Sequence, residues 1–223
     1  MIWNTSLYYY YQLRGGTFRG IPEEDEPNAT LLLPGGEGGG GELCPLLRSF
    51  GRYTASWDAA VRLSVTLERP FTLRVKTENG LRPGMRPLLK ALDAGAELLQ
   101  MDPQLSADYG YPELQKRPVK TSEPAFAKWV FQSEELRKLL ENQPDMGIQI
   151  CPMGPESREH VVAARVHMEW LNIPQWDDGE RSPQEQGERC REEGFFDQLD
   201  ALVALAREAA RAVTQWPMPV TAP

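Results

Sequence analysis

The strongest constraint on the fold lies in "AAVRLSVTLERPFTLRVKT", residues 59–77. Val61, Leu63, Val65 and Leu67 alternate with Arg62, Ser64, Thr66 and Glu68. Phe71, Leu73 and Val75 then alternate with Thr72, Arg74 and Lys76. A period of two sends successive side chains to opposite faces, so both runs read as strands with one buried face each. The short "ERP" between them reads as a hairpin connection. "DMGIQICP" and "EHVVAARVHMEWLNI" repeat the pattern. Met146, Ile148 and Ile150 share a face in the first. Val162, Ala164, Val166, Met168 and Trp170 share one in the second, with Arg165, His167 and Glu169 opposite. "MGPESR" between these strands reads as an antiparallel turn.

Helical periodicity appears in two places. "SEPAFAKWVFQSEELRKLLENQP" reads as a helix pair. Ser122 and Ser133 are its expected N-caps, and Pro124 fits the first turn. Phe126, Trp129 and Val130 share one face, and Leu136, Leu139 and Leu140 another. "FFDQLDALVALAREAARAVTQW" carries an apolar stripe of Phe195, Phe196, Leu199, Leu202, Val203, Ala206, Ala210 and Val213. "LLKALDAGAELL" reads as a shorter helix. The aromatic start "WNTSLYYYYQLRGGTFRGI" reads as strand, turn at Gly15–Gly16, and strand. "ATLLL" reads as a further short strand.

Strands in hairpins, a helix pair and a closing helix predict an α+β fold. Its antiparallel sheet is packed by the central helix pair and the long C-terminal helix. One domain is expected over the 223 residues, with a glycine-rich loop near 34–42 and a polar excursion at 174–193. The alternative is an N-terminal β subdomain over 1–57 and a main α+β domain over 58–223.

The glycine run "LLLPGGEGGGGELCP" raises the question of phosphate binding. A P-loop requires a lysine after its last glycine to reach the phosphates and a hydroxyl to hold magnesium. Glu37 and Glu42 stand there instead, and Pro45 follows closely. The run reads as a flexible connection.

A net charge of −8 without a basic block argues against a nucleic-acid partner. Three widely spaced cysteines, Cys44, Cys151 and Cys190, form no zinc pattern and no secreted disulfide framework. The N-terminus lacks the features of a signal peptide. No apolar run reaches the roughly 20 residues that cross a bilayer. A cytoplasmic location is expected, with no metal and no cofactor.

With only His160 and His167, catalytic chemistry has few anchors. A thiolate nucleophile needs an imidazole beside it. Cys151 ends one strand and His160 begins its expected partner, so the two define one enzymatic alternative of hydrolase type. A carboxylate pair in "WDDG", Asp177 and Asp178, defines another. A small-molecule or lipid carrier is a third reading. The leading expectation is a non-enzymatic binding or protein-interaction domain, with a protein partner or a homodimer. Its expected surface joins Tyr9, Tyr11, Tyr109 and Tyr111, whose rings combine an apolar body with a polar tip, to Arg165 and His167.

From "VRLSVTLERPFTLRVKT" through "YGYPELQKRPVKTSEPAFAKWVFQSEELRKLLE" the chain resembles bacterial domains of unknown function. They share the order of hairpin, irregular stretch and a helix pair of the "P-x-F-A" and "S-x-E-L-R" kind. That resemblance implies no activity and transfers no site residue.

Overall fold

The computed structural model describes residues 3–35, 40–50, 55–76, 117, 119–174, 182–215 and 217–218. Among the described residues, eight strands form one antiparallel sheet: β1 (Thr17–Arg19), β2 (Thr30–Leu32), β3 (Glu42–Phe50), β4 (Ala55–Thr66), β5 (Leu73–Val75), β6 (Val119–Thr121), β7 (Met146–Pro152) and β8 (Glu159–His167). Their order across the sheet is β1-β2-β3-β4-β8-β7-β5-β6. The helices among the described residues are α1 (Trp3–Arg14), α2 (Pro124–Val130), α3 (Glu134–Asn142), α4 (Pro183–Glu192) and α5 (Phe195–Thr214). The α+β expectation holds, with a long C-terminal helix. The chain divides into two compact units, Met1–Ser64 with Ala163–Arg207, and Val65–Val162 with Glu208–Pro223.

In the first unit the aromatic start is a helix, not the expected strand. Trp3, Leu7 and Tyr10 stand at helical spacing and are buried. The Trp3 ring meets Phe195 edge-on at 6.4 Å, and Tyr10 meets Phe196 at 5.7 Å. The Tyr10 hydroxyl donates to Asp200 at 2.8 Å, and Arg14 closes a 2.6 Å ion pair on the same carboxylate. Aromatic residues favour strands, but their helical penalty is only a few tenths of a kcal/mol each. Burying one large side chain outweighs it, at about 1.5–3 kcal/mol. Gly15 ends the helix at φ 75° and donates to the Tyr11 carbonyl at 2.7 Å. Gly16 then passes so close to β2 that an added Cβ would lie 2.4 Å from the Leu32 carbonyl oxygen.

Pro45 explains why β2 is short. Leu33 N–H donates to Gly41 O at 2.8 Å, so odd residues of β3 direct their backbone groups toward β2. Pro45 would face Ala29 on that side and has no N–H to give. The Ala29 groups are satisfied by α1 instead: its N–H donates to Asn4 Oδ1 at 2.9 Å, and its carbonyl accepts from the Trp3 indole at 3.0 Å. β3 itself is not predicted by the sequence pattern, in which Pro45 speaks for a loop. The four residues 36–39 of the glycine run lie outside the described residues.

Residues 183–192, expected as an exposed excursion, form α4. Its signal is present in the sequence: "SPQE" is a capping box, Ser182 receiving Glu185 N–H while Glu185 reaches back to Ser182 N–H, with Pro183 in the first turn. The helix is polar because it buries little beyond Cys190. The apolar stripe of α5 is buried at all eight expected positions. Strand β8 stops at His167, and Met168–Trp170 turn into a short 3-10 helix instead of extending it.

β4 and β5 form strands as expected but do not pair with each other. β5 lies between β7 and β6, with Leu73 opposite both Ile150 and Thr121. The expected hairpin is lost because its backbone groups bond elsewhere. Leu67 N–H donates to Arg158 O at 2.8 Å, and Phe71 N–H donates to His160 Nε2 at 2.9 Å. The β7–β8 hairpin thus occupies the place between β4 and β5.

The helix pair forms as expected, with one change of cap. Glu123 is the N-cap residue of α2, and its carboxylate receives the Arg69 guanidinium at 2.8 and 2.6 Å. Ser122 accepts Thr72 N–H at 2.9 Å. Phe126 and Val130 are buried, whereas Trp129 is exposed.

Ser133 caps α3 through Leu136 N–H at 3.1 Å and also donates to Glu208. Arg211 Nε bonds the other Glu208 oxygen at 2.7 Å. Burial alone would raise the Glu208 pKa, but the bonds from Arg211 and Ser133 outweigh it and hold the carboxyl below its ordinary value. The stability this carboxylate contributes is therefore present above its unfolded value of about 4.3 and is lost as pH falls through the lower folded value. Glu208→Gln is expected to cost about 1–2 kcal/mol at pH 7. The difference from the parent chain should narrow as pH falls below about 4.3 and close only once pH is under the depressed folded value; urea denaturation across pH measures it.

Candidate functional site

The outward face of β3, β4 and β8 in the first unit carries a polar cluster. Alternation in β4 puts Val61 and Leu63 into the core and Ser56 and Asp58 on the opposite face. In β8 it buries Val162, Ala164 and Val166 and sets Arg165 and His167 outward.

Two cross-strand bonds join the outward pairs. Arg165 Nη2 donates to Asp58 Oδ2 at 3.1 Å, and His167 Nε2 lies 2.8 Å from Ser56 Oγ. A bulge in β3 between Leu47 and Ser49 leaves Arg48 without a partner residue in the β3–β4 register. Arg48 reaches the same carboxylate, with Nη1 3.9 Å from Asp58 Oδ1. The Asp58 side chain is only 12% exposed, against 45% for Arg48 and 28% for Arg165. A carboxylate this buried needs paired charge, and two arginines supply it.

The tautomer of His167 follows from its partners. Glu169 N–H donates to Nδ1 at 3.2 Å, so Nδ1 accepts and the ring proton sits on Nε2, aimed at Ser56. The Trp170 ring stacks near the imidazole with centroids 5.4 Å apart. Cys44, buried on the same face, has its thiol pushed up to about 11 by burial and by Glu42, against the opposing influence of Arg62 and Arg165. It stays a protonated thiol at neutral pH.

Of the expected surface residues, Arg165 and His167 therefore lie side by side in one cluster. Tyr9 is buried, its ring against Gly187 of α4, where an added Cβ would lie 3.3 Å away. Tyr11 is half-buried and packs with Tyr8 and Phe18 at 6.0 and 6.1 Å. Tyr109, Tyr111, Asp177 and Asp178 lie outside the described residues.

The Cys151 and His160 pair is placed on opposite faces of its hairpin. Met153 N–H donates to Glu159 O at 2.9 Å, a register that sets Cys151 opposite Val161 and His160 opposite Pro152. Both His160 nitrogens are engaged: Nε2 accepts Phe71 N–H at 2.9 Å and Nδ1 donates to Arg158 O at 2.8 Å. His160 is fully buried and ties the β4–β5 connection to β8. Among the described residues, no group of three or more His, Cys, Asp or Glu could hold a metal ion. No described helix is long and apolar enough to cross a membrane.

Ser56, Asp58 and Arg48 carry no sequence signal that singles them out. Asp58 precedes the clear alternation that begins at Val61, and its β8 partner Arg165 is distant in sequence. Comparison with protein-family models, with curated proteins and with solved structures finds no match.

Proposed function

We propose that the protein is a non-enzymatic binding protein of the cytoplasm that recognises its partner on the outward sheet face around Asp58. The observation that carries this reading is the cluster itself. Arg165 and His167 are fixed by cross-strand bonds to Asp58 and Ser56, on rigid strands rather than loops. Polar groups held in this way are ordered before a ligand arrives, which lowers the entropy cost of binding. The three cysteines are free thiols, as a reducing compartment would keep them. Native mass spectrometry of the purified full chain tests the reading. The parent chain is expected to retain bound material that Arg48→Glu loses. Retention unchanged in Arg48→Glu, or none in the parent, contradicts it.

A second reading, homodimerisation, has its own observation. β1 is an outer strand of the sheet. Beside it Tyr8, Tyr11 and Phe18 form a half-exposed ring cluster, with Tyr8 and Phe18 at 5.3 Å. Leu13 and Ile21 nearby in sequence are 57% and 53% exposed. Outer strands and aromatic faces are ready partners for a second copy. Sedimentation equilibrium should give twice the chain mass for the parent and the single mass for Phe18→Asp. A parent that stays monomeric at every concentration removes this reading.

A further inference from the structure

The ligand class follows from the direction of the bonds in the cluster, an inference that rests on the outward face being the recognition surface. His167 Nε2–H donates to Ser56 Oγ, because Nδ1 is occupied by Glu169 N–H. A serine hydroxyl that accepts this bond keeps its own hydrogen to give to another acceptor. Arg48 stands at the same face, its guanidinium beyond hydrogen-bond distance of the nearest Asp58 oxygen at 3.9 Å. Asp58 is already bonded at its other oxygen by Arg165. Two guanidinium groups thus share one carboxylate. The face also carries Arg62 and Glu42, paired at 3.7 Å, and the exposed Glu169, whose carboxylate lies 4.0 Å from His167 Nδ1.

We propose that Arg48 and the Ser56 hydroxyl bind an oxyanion, the carboxylate or phosphate group of a small ligand, on the outward face of β3, β4 and β8. Guanidinium and hydroxyl donors match the lone pairs of such a group, and charge-assisted bonds of this kind are the stronger class. A cationic ligand would meet Arg48 with like charge. A serine nucleophile would need Nε2 to accept the Ser56 proton, and the Glu169 N–H holds the opposite tautomer. The His167–Ser56 pair therefore acts as a donor relay.

Isothermal titration of the full chain at low ionic strength, with inorganic phosphate and separately with citrate, tests the proposal. Saturable binding of either is expected, weakened tenfold or more in both Arg48→Gln and Ser56→Ala. Which anion binds identifies the group as phosphate or carboxylate. Arg19→Gln, a surface change on β1, should bind as the parent does. No saturable binding of either anion overturns the proposal, as does binding that both variants retain, which would mean an adventitious ion only. Labelling of Ser56 by a fluorophosphonate also overturns it, since that reaction needs the other tautomer. If both anions fail while Arg48→Glu still releases bound material in native mass spectrometry, the oxyanion assignment falls and the recognition surface stands.

Discussion

Asn4→Asp is expected to destabilise the protein by about 3–5 kcal/mol, although it replaces one amide nitrogen by an oxygen. Asn4 is fully buried in α1. Its Nδ2 has the carbonyls of Glu24 and Glu26 at 3.0 and 2.9 Å and Asn28 Oδ1 at 3.1 Å as acceptors, its two hydrogens being shared among the three. Its Oδ1 accepts the N–H groups of Asn28 and Ala29 at 3.1 and 2.9 Å. The amide orientation is thereby fixed by five partners. A carboxylate in its place would keep the two accepted bonds and turn a second oxygen toward three acceptors. It would do so beside the acidic run Glu23, Glu24, Asp25 and Glu26. Burying an unpaired charge costs more than losing a neutral bond. Chemical denaturation at pH 7 measures the loss, and a change below about 1 kcal/mol would contradict this role for the amide. The loss should shrink at low pH, where the new carboxyl is protonated in the folded and unfolded chains alike.

Arg117→Met is expected to cost a similar amount, about 3–5 kcal/mol. Arg117 is 1% exposed and donates from Nη1 to Met146 O at 2.6 Å. Its Nη2 serves Gln143 O at 2.6 Å and Leu140 O. These carbonyls belong to the end of α3 and the start of β7, where a helix leaves its last carbonyls without internal partners. The guanidinium satisfies them and places positive charge at the negative end of the helix. Methionine fills much of the volume but bonds none of the three. Arg117→Lys should recover only part of the loss, since one ammonium lacks the planar fork. Urea denaturation of the three proteins gives the order, and a methionine variant as stable as the parent would contradict the assignment.

Local pattern carries much of this fold. Period two marks β4, β5, β7 and β8, and the apolar stripe marks α5, because those signals depend only on neighbours in sequence. Pairing does not follow from them. The β7–β8 hairpin comes between β4 and β5 because Leu67 and Phe71 bond to Arg158 and His160, which are 91 and 89 residues away. The aromatic start fails as a strand because packing of Trp3 and Tyr10 against Phe195 and Phe196 outweighs aromatic strand preference. Of the site, Arg165 and His167 can be placed on one face by alternation. Asp58, Ser56 and Arg48 cannot be joined to them from sequence, since the β4 and β8 neighbourhood is a tertiary fact.

Amide chemical-shift mapping of the full chain during titration with inorganic phosphate tests most directly whether the face around Asp58 is the recognition surface. Saturable shifts concentrated at Arg48, Ser56 to Asp58 and Arg165 to His167 are the expected result. Shifts spread over the surface, or centred instead on Tyr11 and Phe18, would contradict it.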